Sequence, residues 1–248
     1  MDLGIAGRTA IVCAASSGLG KACATALALE GVNLVINSRS LDRLETAADE
    51  IRTLAPDVAV KLVAGSVTDP DCRAEMVEMA GQPDILINNA GGPPPGDFRD
   101  WDRQTWIDAL DANMLSAIDL IRRTVDGMAQ RKFGRIVNIT SSSVRVPIPV
   151  LGLSTAARSG LTGFVFGLAP QLSPSNVTIN NILPGPFDTN RLRNSKPLTM
   201  HLTQNAVAGR VGDPAELGAT CAFICSQQAG YMTAQNLLLD GGLYPGAF

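Results

Sequence analysis

A short turn near the start of the chain carries the first residues suited to chemistry. It reads Ala14-Ala15-Ser16-Ser17-Gly18-Leu19-Gly20 and joins an apolar run to a helical pattern. Glycines at Gly18 and Gly20 let the backbone approach a pyrophosphate and let helix and sheet pack closely. The helix start adds amide donors and a favourable dipole, so the turn suits a nucleotide phosphate. Tight strand–helix packing accounts for such glycines equally well, but the position after the first strand favours the nucleotide. Metal chemistry finds little support. His201 is the only histidine, which argues against a His-rich zinc or iron site. The five cysteines, Cys13, Cys23, Cys72, Cys221 and Cys225, form no CxxC pair. Their odd number and apolar neighbours indicate reduced, packed thiols in a cytosolic, cytoplasmic protein. Both tyrosines, Tyr231 and Tyr244, lie near the C-terminus.

The elements that must position these residues follow from patterning. Apolar runs at 9–15, 33–38, 58–63, 85–88, 135–139, 177–183 and 237–240 alternate with longer helical patterns. Runs without polar alternation indicate strands buried on both faces. Strand–helix alternation implies right-handed crossovers, hence an α/β fold with a parallel sheet of about seven strands and helices on both faces. Asp69-Pro70 and Asp213-Pro214-Ala215-Glu216 mark helix starts. Residues 101–130 predict one long helix after an irregular start. GGPPPG at 91–96 reads as a rigid loop. Residues 190–209 are polar and poorly patterned, a candidate substrate lid. No linker divides the chain, so residues 1–248 read as a single dinucleotide-binding domain.

Composition agrees. The chain has 248 residues, 46% apolar and 17% charged, with net charge −3. It lacks the basic excess of a nucleic-acid binder, a run of the roughly 18 apolar residues needed for a membrane span, and a signal-peptide pattern.

Several segments together resemble the short-chain dehydrogenase/reductase family over nearly the whole length. Cys13–Gly20 matches the family's glycine motif, Asn88-Asn89-Ala90-Gly91 its Asn-Asn-Ala-Gly motif, and Asn113 its helical active-site Asn. Residues 136–141 match the strand ending in the catalytic Ser, Pro184-Gly185 with Thr189 the nicotinamide turn, and Asp240-Gly241-Gly242 the C-terminal signature. The resemblance implies a Rossmann-type fold, a small-molecule substrate and a homodimer or homotetramer. It assigns to NADP(H) the residues Ser16, Ser17, Gly18, Leu19, Gly20, Ser38, Arg39, Ser66, Val67, Asn89, Ala90, Gly91, Arg158, Pro184, Gly185 and Thr189. Arg39 after the second strand, with no acid at Ser38, suits a ribose 2′-phosphate and predicts NADP(H) over NAD(H). Two residues depart from the cofactor pattern. Ala14 replaces the first glycine and is expected to keep a negative φ. Ser66 replaces the Asp that usually meets the adenine edge.

The catalytic pattern breaks more sharply. The family's Tyr stands thirteen residues after its Ser, with a Lys four further on. Counting from Ser141 gives Ser154 and then Arg158, with matching flanks. The catalytic set is therefore Asn113, Ser141, Ser154 and Arg158. A serine hydroxyl is far less acidic than a phenol, and Arg158 stays protonated at neutral pH, although it can bind ribose or an anion. Other conceivable contributors are His201, Tyr244, and Arg145 as a partner for an anionic substrate. Two functions remain open: an NADPH-dependent oxidoreductase acting on a small carbonyl, imine or activated alkene with a non-standard proton donor, or an inactive NADP(H)-binding sensor or subunit partner.

Overall fold

The structure, a computed structural model, describes residues 1–194 and 205–244. Seven strands form one parallel sheet: β1 (Thr9–Val12), β2 (Asn33–Ser38), β3 (Val60–Ala64), β4 (Ile85–Asn88), β5 (Gly134–Ile139), β6 (Val177–Pro184) and β7 (Asn236–Leu239). Their order is β3-β2-β1-β4-β5-β6-β7. The expected doubly wound sheet is thus present. The order reverses between β1 and β4, and that switch point opens a crevice at the carboxyl ends of the strands.

Each strand is an apolar run because helices cover both sheet faces. In β1, Ala10 and Val12 pack into one core while Ile11 packs into the other. The first core includes residues of α1 (Gly18–Leu29), α2 (Leu41–Leu54) and a helix near the C-terminus, α8 (Pro214–Ile224). The second includes residues of α3 (Pro70–Ala80), α5 (Ser116–Gln130) and α6 (Gly152–Leu172). Asp213 caps α8 through the expected reciprocal box with Glu216. No helix among the described residues is long and apolar enough to cross a membrane.

Two polar features interrupt the apolar logic near the crevice. Asn88, Asn138, Asn181 and Asn236 stand in register across β4 to β7. Each passes an amide N–H to the next carbonyl, at 2.9, 3.0 and 2.9 Å. This chain ties four strands where a buried amide would otherwise be costly. The helix predicted over 101–130 is not uniform. It consists of α4 (Arg103–Leu110), a π-turn over Asp111–Leu115, and α5. The π-turn carries Asn113, in keeping with the frequent use of such turns at functional sites.

Candidate active site

The carboxyl ends of the strands enclose a cleft of about 970 Å³. Every residue assigned to the cofactor by resemblance lines it except Gly20. Gly20 serves packing instead. A Cβ there would lie 2.3 Å from the Ala14 carbonyl oxygen and 2.7 Å from Asn89 Nδ2. Gly18 has φ +56°, and a Cβ there would meet the Thr189 methyl at 3.4 Å. The turn is therefore open to the cleft on one side and closed on the other. Ala14 corrects one expectation: its φ is +49°, not negative. A left-handed alanine costs roughly 1–2 kcal/mol, and this strain is held in place by Gly20 packed against the Ala14 carbonyl.

The residues fit NADP(H). Arg39 is exposed and makes no hydrogen bond or ion pair among the described residues. Arg43 lies beside the same end of the cleft and donates to Ser17 Oγ at 3.2 Å. Two cations therefore flank the place beyond β2 where a 2′-phosphate would sit. Arg43 was not anticipated, yet the sequence carries a signal. It occupies the first turn of α2, capped by Ser40, where the helix dipole disfavours a cation. Ser38 lines the cleft but gives its proton to the Ser40 carbonyl at 3.0 Å. Ser66 accepts from Thr68 N at 3.3 Å and shares a hydrogen bond with the Thr68 hydroxyl.

At the other end stands Arg158, on α6 and buried. Its Nε donates to Ser154 Oγ at 3.1 Å. One terminal nitrogen donates to the Ile139 carbonyl at 2.7 Å and to the Thr140 carbonyl. The other donates to the Ala90 carbonyl at 3.2 Å and to Asn113 Oδ1 at 3.0 Å. A guanidinium has five N–H donors, and all are used. No donor is left over for a ribose or an anion. Burial first, then the positive charge of Arg191, lowers the Arg158 pKa to about 10. It remains a cation at neutral pH. Ser141 accepts from the Ser143 backbone at 3.1 Å and from the Ser143 hydroxyl at 2.9 Å. With both lone pairs engaged, its own O–H is left as a donor on the cleft wall. Asn113 is buried behind Arg158 and lines a small void of about 20 Å³ rather than the cleft.

Two of the three other candidates are absent from the cleft lining, and the third is not described. Arg145 is exposed and does not line the cleft. Tyr244 is absent from that lining, and its backbone N–H donates to Asp240 at 2.9 Å. His201 and residues 195–204 of the 190–209 segment lie outside the described residues. A second unanticipated residue, Arg191, does line the cleft. It belongs to α7 (Asn190–Arg193) and donates to the Gly92 and Pro93 carbonyls.

Known proteins share this architecture. Residues 13–244 match a family model described as enoyl-(acyl carrier protein) reductase. The NADPH-dependent reductase BacG of Bacillus subtilis is 32% identical, over 95% of this chain and 97% of that protein. The chain belongs to the short-chain dehydrogenase/reductase family. Within the family it is also similar to a 3-oxoacyl-[acyl-carrier-protein] reductase FabG of Vibrio cholerae, 29% identical over 98% of this chain and 99% of that one. Among solved structures, L-sorbose reductase of Gluconobacter frateurii, crystallised with NADPH and L-sorbose, superposes with a TM-score of 0.93. That match is 29% identical and covers 99% of this chain and 100% of the other. The crystal structure of YwfH, an NADPH-dependent reductase of bacilysin biosynthesis, gives a TM-score of 0.91 at 31% identity, covering 96% of this chain and 99% of that one.

Proposed function

We propose that the chain is an NADPH-dependent oxidoreductase that reduces a carbon–carbon double bond conjugated to a carbonyl. The observation that carries this reading is the Ser154–Arg158 pair. Ser154 offers only an alcohol, and Arg158 is a saturated cation. A simple ketone needs an acid beside the carbon that is reduced; these two side chains do not supply one. A conjugated alkene does not have that need. NADPH, when bound, supplies a hydride and becomes NADP+. The β-carbon of the acceptor gains the C–H bond, and the π electrons move to the remote carbonyl oxygen. The resulting enolate takes a proton from water at its α-carbon, giving the saturated carbonyl compound. Ser141 donates its hydroxyl proton in a hydrogen bond to the enolate oxygen, which holds the developing charge without transferring that proton.

The charge of the cleft argues against the imine alternative. Its described lining includes four arginines and no acidic residue, a poor host for a protonated, cationic imine. The description of the matching family as enoyl reductases is consistent with alkene reduction. In this reading the protein is a homodimer or homotetramer, and Leu115 on the π-turn and Phe166 on α6 are exposed apolar residues that such an interface could cover.

A matched pair of acceptors tests the proposal. 4-Phenyl-3-buten-2-one should be reduced to 4-phenyl-2-butanone, with the ketone left intact. General acid catalysis is worth about a hundred- to ten-thousandfold, so the saturated ketone should react slower by that order. The variant Ser154→Tyr with Arg158→Lys should gain ketone reduction. Equal rates on both compounds in the unmodified protein overturn the reading. So does an absence of enone turnover by a folded, NADPH-binding protein, which would favour the sensor or subunit role.

A further inference from the structure

The charge of the cleft is one-sided. Its charged described residues are Arg39, Arg43, Arg158 and Arg191, although the whole chain carries a net charge of −3. Arg39 and Arg43 stand beyond β2, at the end suited to the 2′-phosphate. Arg158 spends every donor on the protein. Arg191 is left, and nothing so far gives it a task.

Arg191 is fixed in place by the loop after β4. Its terminal nitrogens donate to the Gly92 carbonyl at 2.9 Å and the Pro93 carbonyl at 3.0 Å. In the sheet, β1 separates β4 from β2, so Arg191 and the Arg39–Arg43 pair serve different ends of the cleft. Consecutive prolines stiffen the loop, and the guanidinium is positioned before any ligand arrives. Two of its five N–H donors are used in this way. Among the described residues, the Nε–H and one N–H on each terminal nitrogen have no acceptor. No described carboxylate pairs with it either. Asp188, three residues before it, is gripped by Arg193 at 2.6 and 2.7 Å. Arg191 is exposed at the cleft wall, and such burial as it has lowers its pKa. A pre-positioned cation with no described counter-charge in a cleft lined by further arginines favours an anion.

We propose that Arg191 is a specificity-determining residue that binds a carboxylate of the acceptor. The Nε–H and the neighbouring terminal N–H form a fork that a planar carboxylate can accept side-on. The inference rests on the reductase reading for the identity of its ligand as an acceptor, so its test reads binding rather than turnover.

The probes are 2-oxo-4-phenylbutanoate and 4-phenyl-2-butanone, which differ by a carboxylate in place of a methyl group. Each is titrated calorimetrically into the NADP+-loaded protein. The oxo acid should bind tighter than the ketone by about tenfold or more, the scale of one charge-assisted contact. Arg191→Gln should bring the two probes to about equal affinity and leave NADPH affinity unchanged. Arg191→Lys keeps the charge without the fork and should retain part of the preference. Equal binding of both probes by the unmodified protein, or a preference that survives Arg191→Gln, overturns the proposal. A large loss of NADPH affinity in Arg191→Gln also overturns it, by assigning the guanidinium to the cofactor phosphates. An Arg191-dependent preference in a protein that fails to reduce the enone would overturn the reductase reading alone.

Discussion

At the scale of single residues, the site depends on how many hydrogen-bond donors each arginine has left. Arg158 has none, because five acceptors from four separate stretches of chain converge on it. Arg39 has all of its own among the described residues, and Arg43 lends only one to Ser17. On that count we propose the Arg39–Arg43 pair as the reader of a 2′-phosphate. A hydrogen bond to a charged group contributes about 1.5–3 kcal/mol. Arg39→Ala should therefore weaken NADPH by about ten- to a hundredfold, towards the lower figure because Arg43 shares the phosphate. NADH affinity should barely change. Fluorescence titration with both cofactors checks this, and an equal loss for both would remove the phosphate from the assignment.

At the scale of elements, charge also ties helices together. Asp119 on α5 accepts from Arg73 of α3 at 2.6 Å, from Arg122 at 2.6 Å and from Arg123 at 2.7 Å. Burial pushes its pKa up, but the hydrogen bonds from Arg123, Arg122 and Arg73 outweigh this and hold it well below the usual carboxylate range. A depressed carboxylate pKa stabilises the fold above the unfolded pKa of about 3.9 and loses that contribution as pH falls towards the folded value. Asp119→Asn should cost about 1.5–3 kcal/mol at neutral pH. The gap between variant and parent should narrow as acid protonates the parent carboxylate. Urea unfolding across that range gives the answer; a gap independent of pH would mean that packing, not charge, joins α3 to α5. The π-turn belongs to this scale too. It brings Asn113 to Arg158, 45 positions further along the chain, at 3.0 Å.

At the scale of the whole molecule, the cofactor should act as part of the fold. The cleft runs across the carboxyl ends of the sheet and draws on the loops after each of β1 to β6. A ligand at about a hundred times its Kd stabilises the native state by about 2.7 kcal/mol. For a domain of this size, that corresponds to a rise in Tm of roughly 5–10 °C. NADPH should produce this rise, and Gly18→Val should abolish it while remaining folded. The valine would take a positive φ beside the Thr189 methyl and project into the space that the glycine turn leaves for phosphate. A Gly18→Val protein stabilised normally by NADPH would show that the turn does not cradle the cofactor.

The sequence by itself determined the sheet, because strands buried on both faces must be continuous apolar runs, and seven such runs are visible. It also determined the glycine turn and the helix caps, and it put Ser154 and Arg158 where the family resemblance leads one to expect Tyr and Lys, since these are matters of residue type and local spacing. Tertiary structure decided the rest. The left-handed Ala14 depends on Gly20 closing under its carbonyl. The break in the helix over 101–130 brings a distant arginine within reach of Asn113. Whether an arginine is spent or available is set by carbonyls far away in sequence: those of residues 90, 139 and 140 for Arg158, and of residues 92 and 93 for Arg191. Local pattern names the charge. Only the packed chain counts its partners, because hydrogen bonds form between neighbours in space.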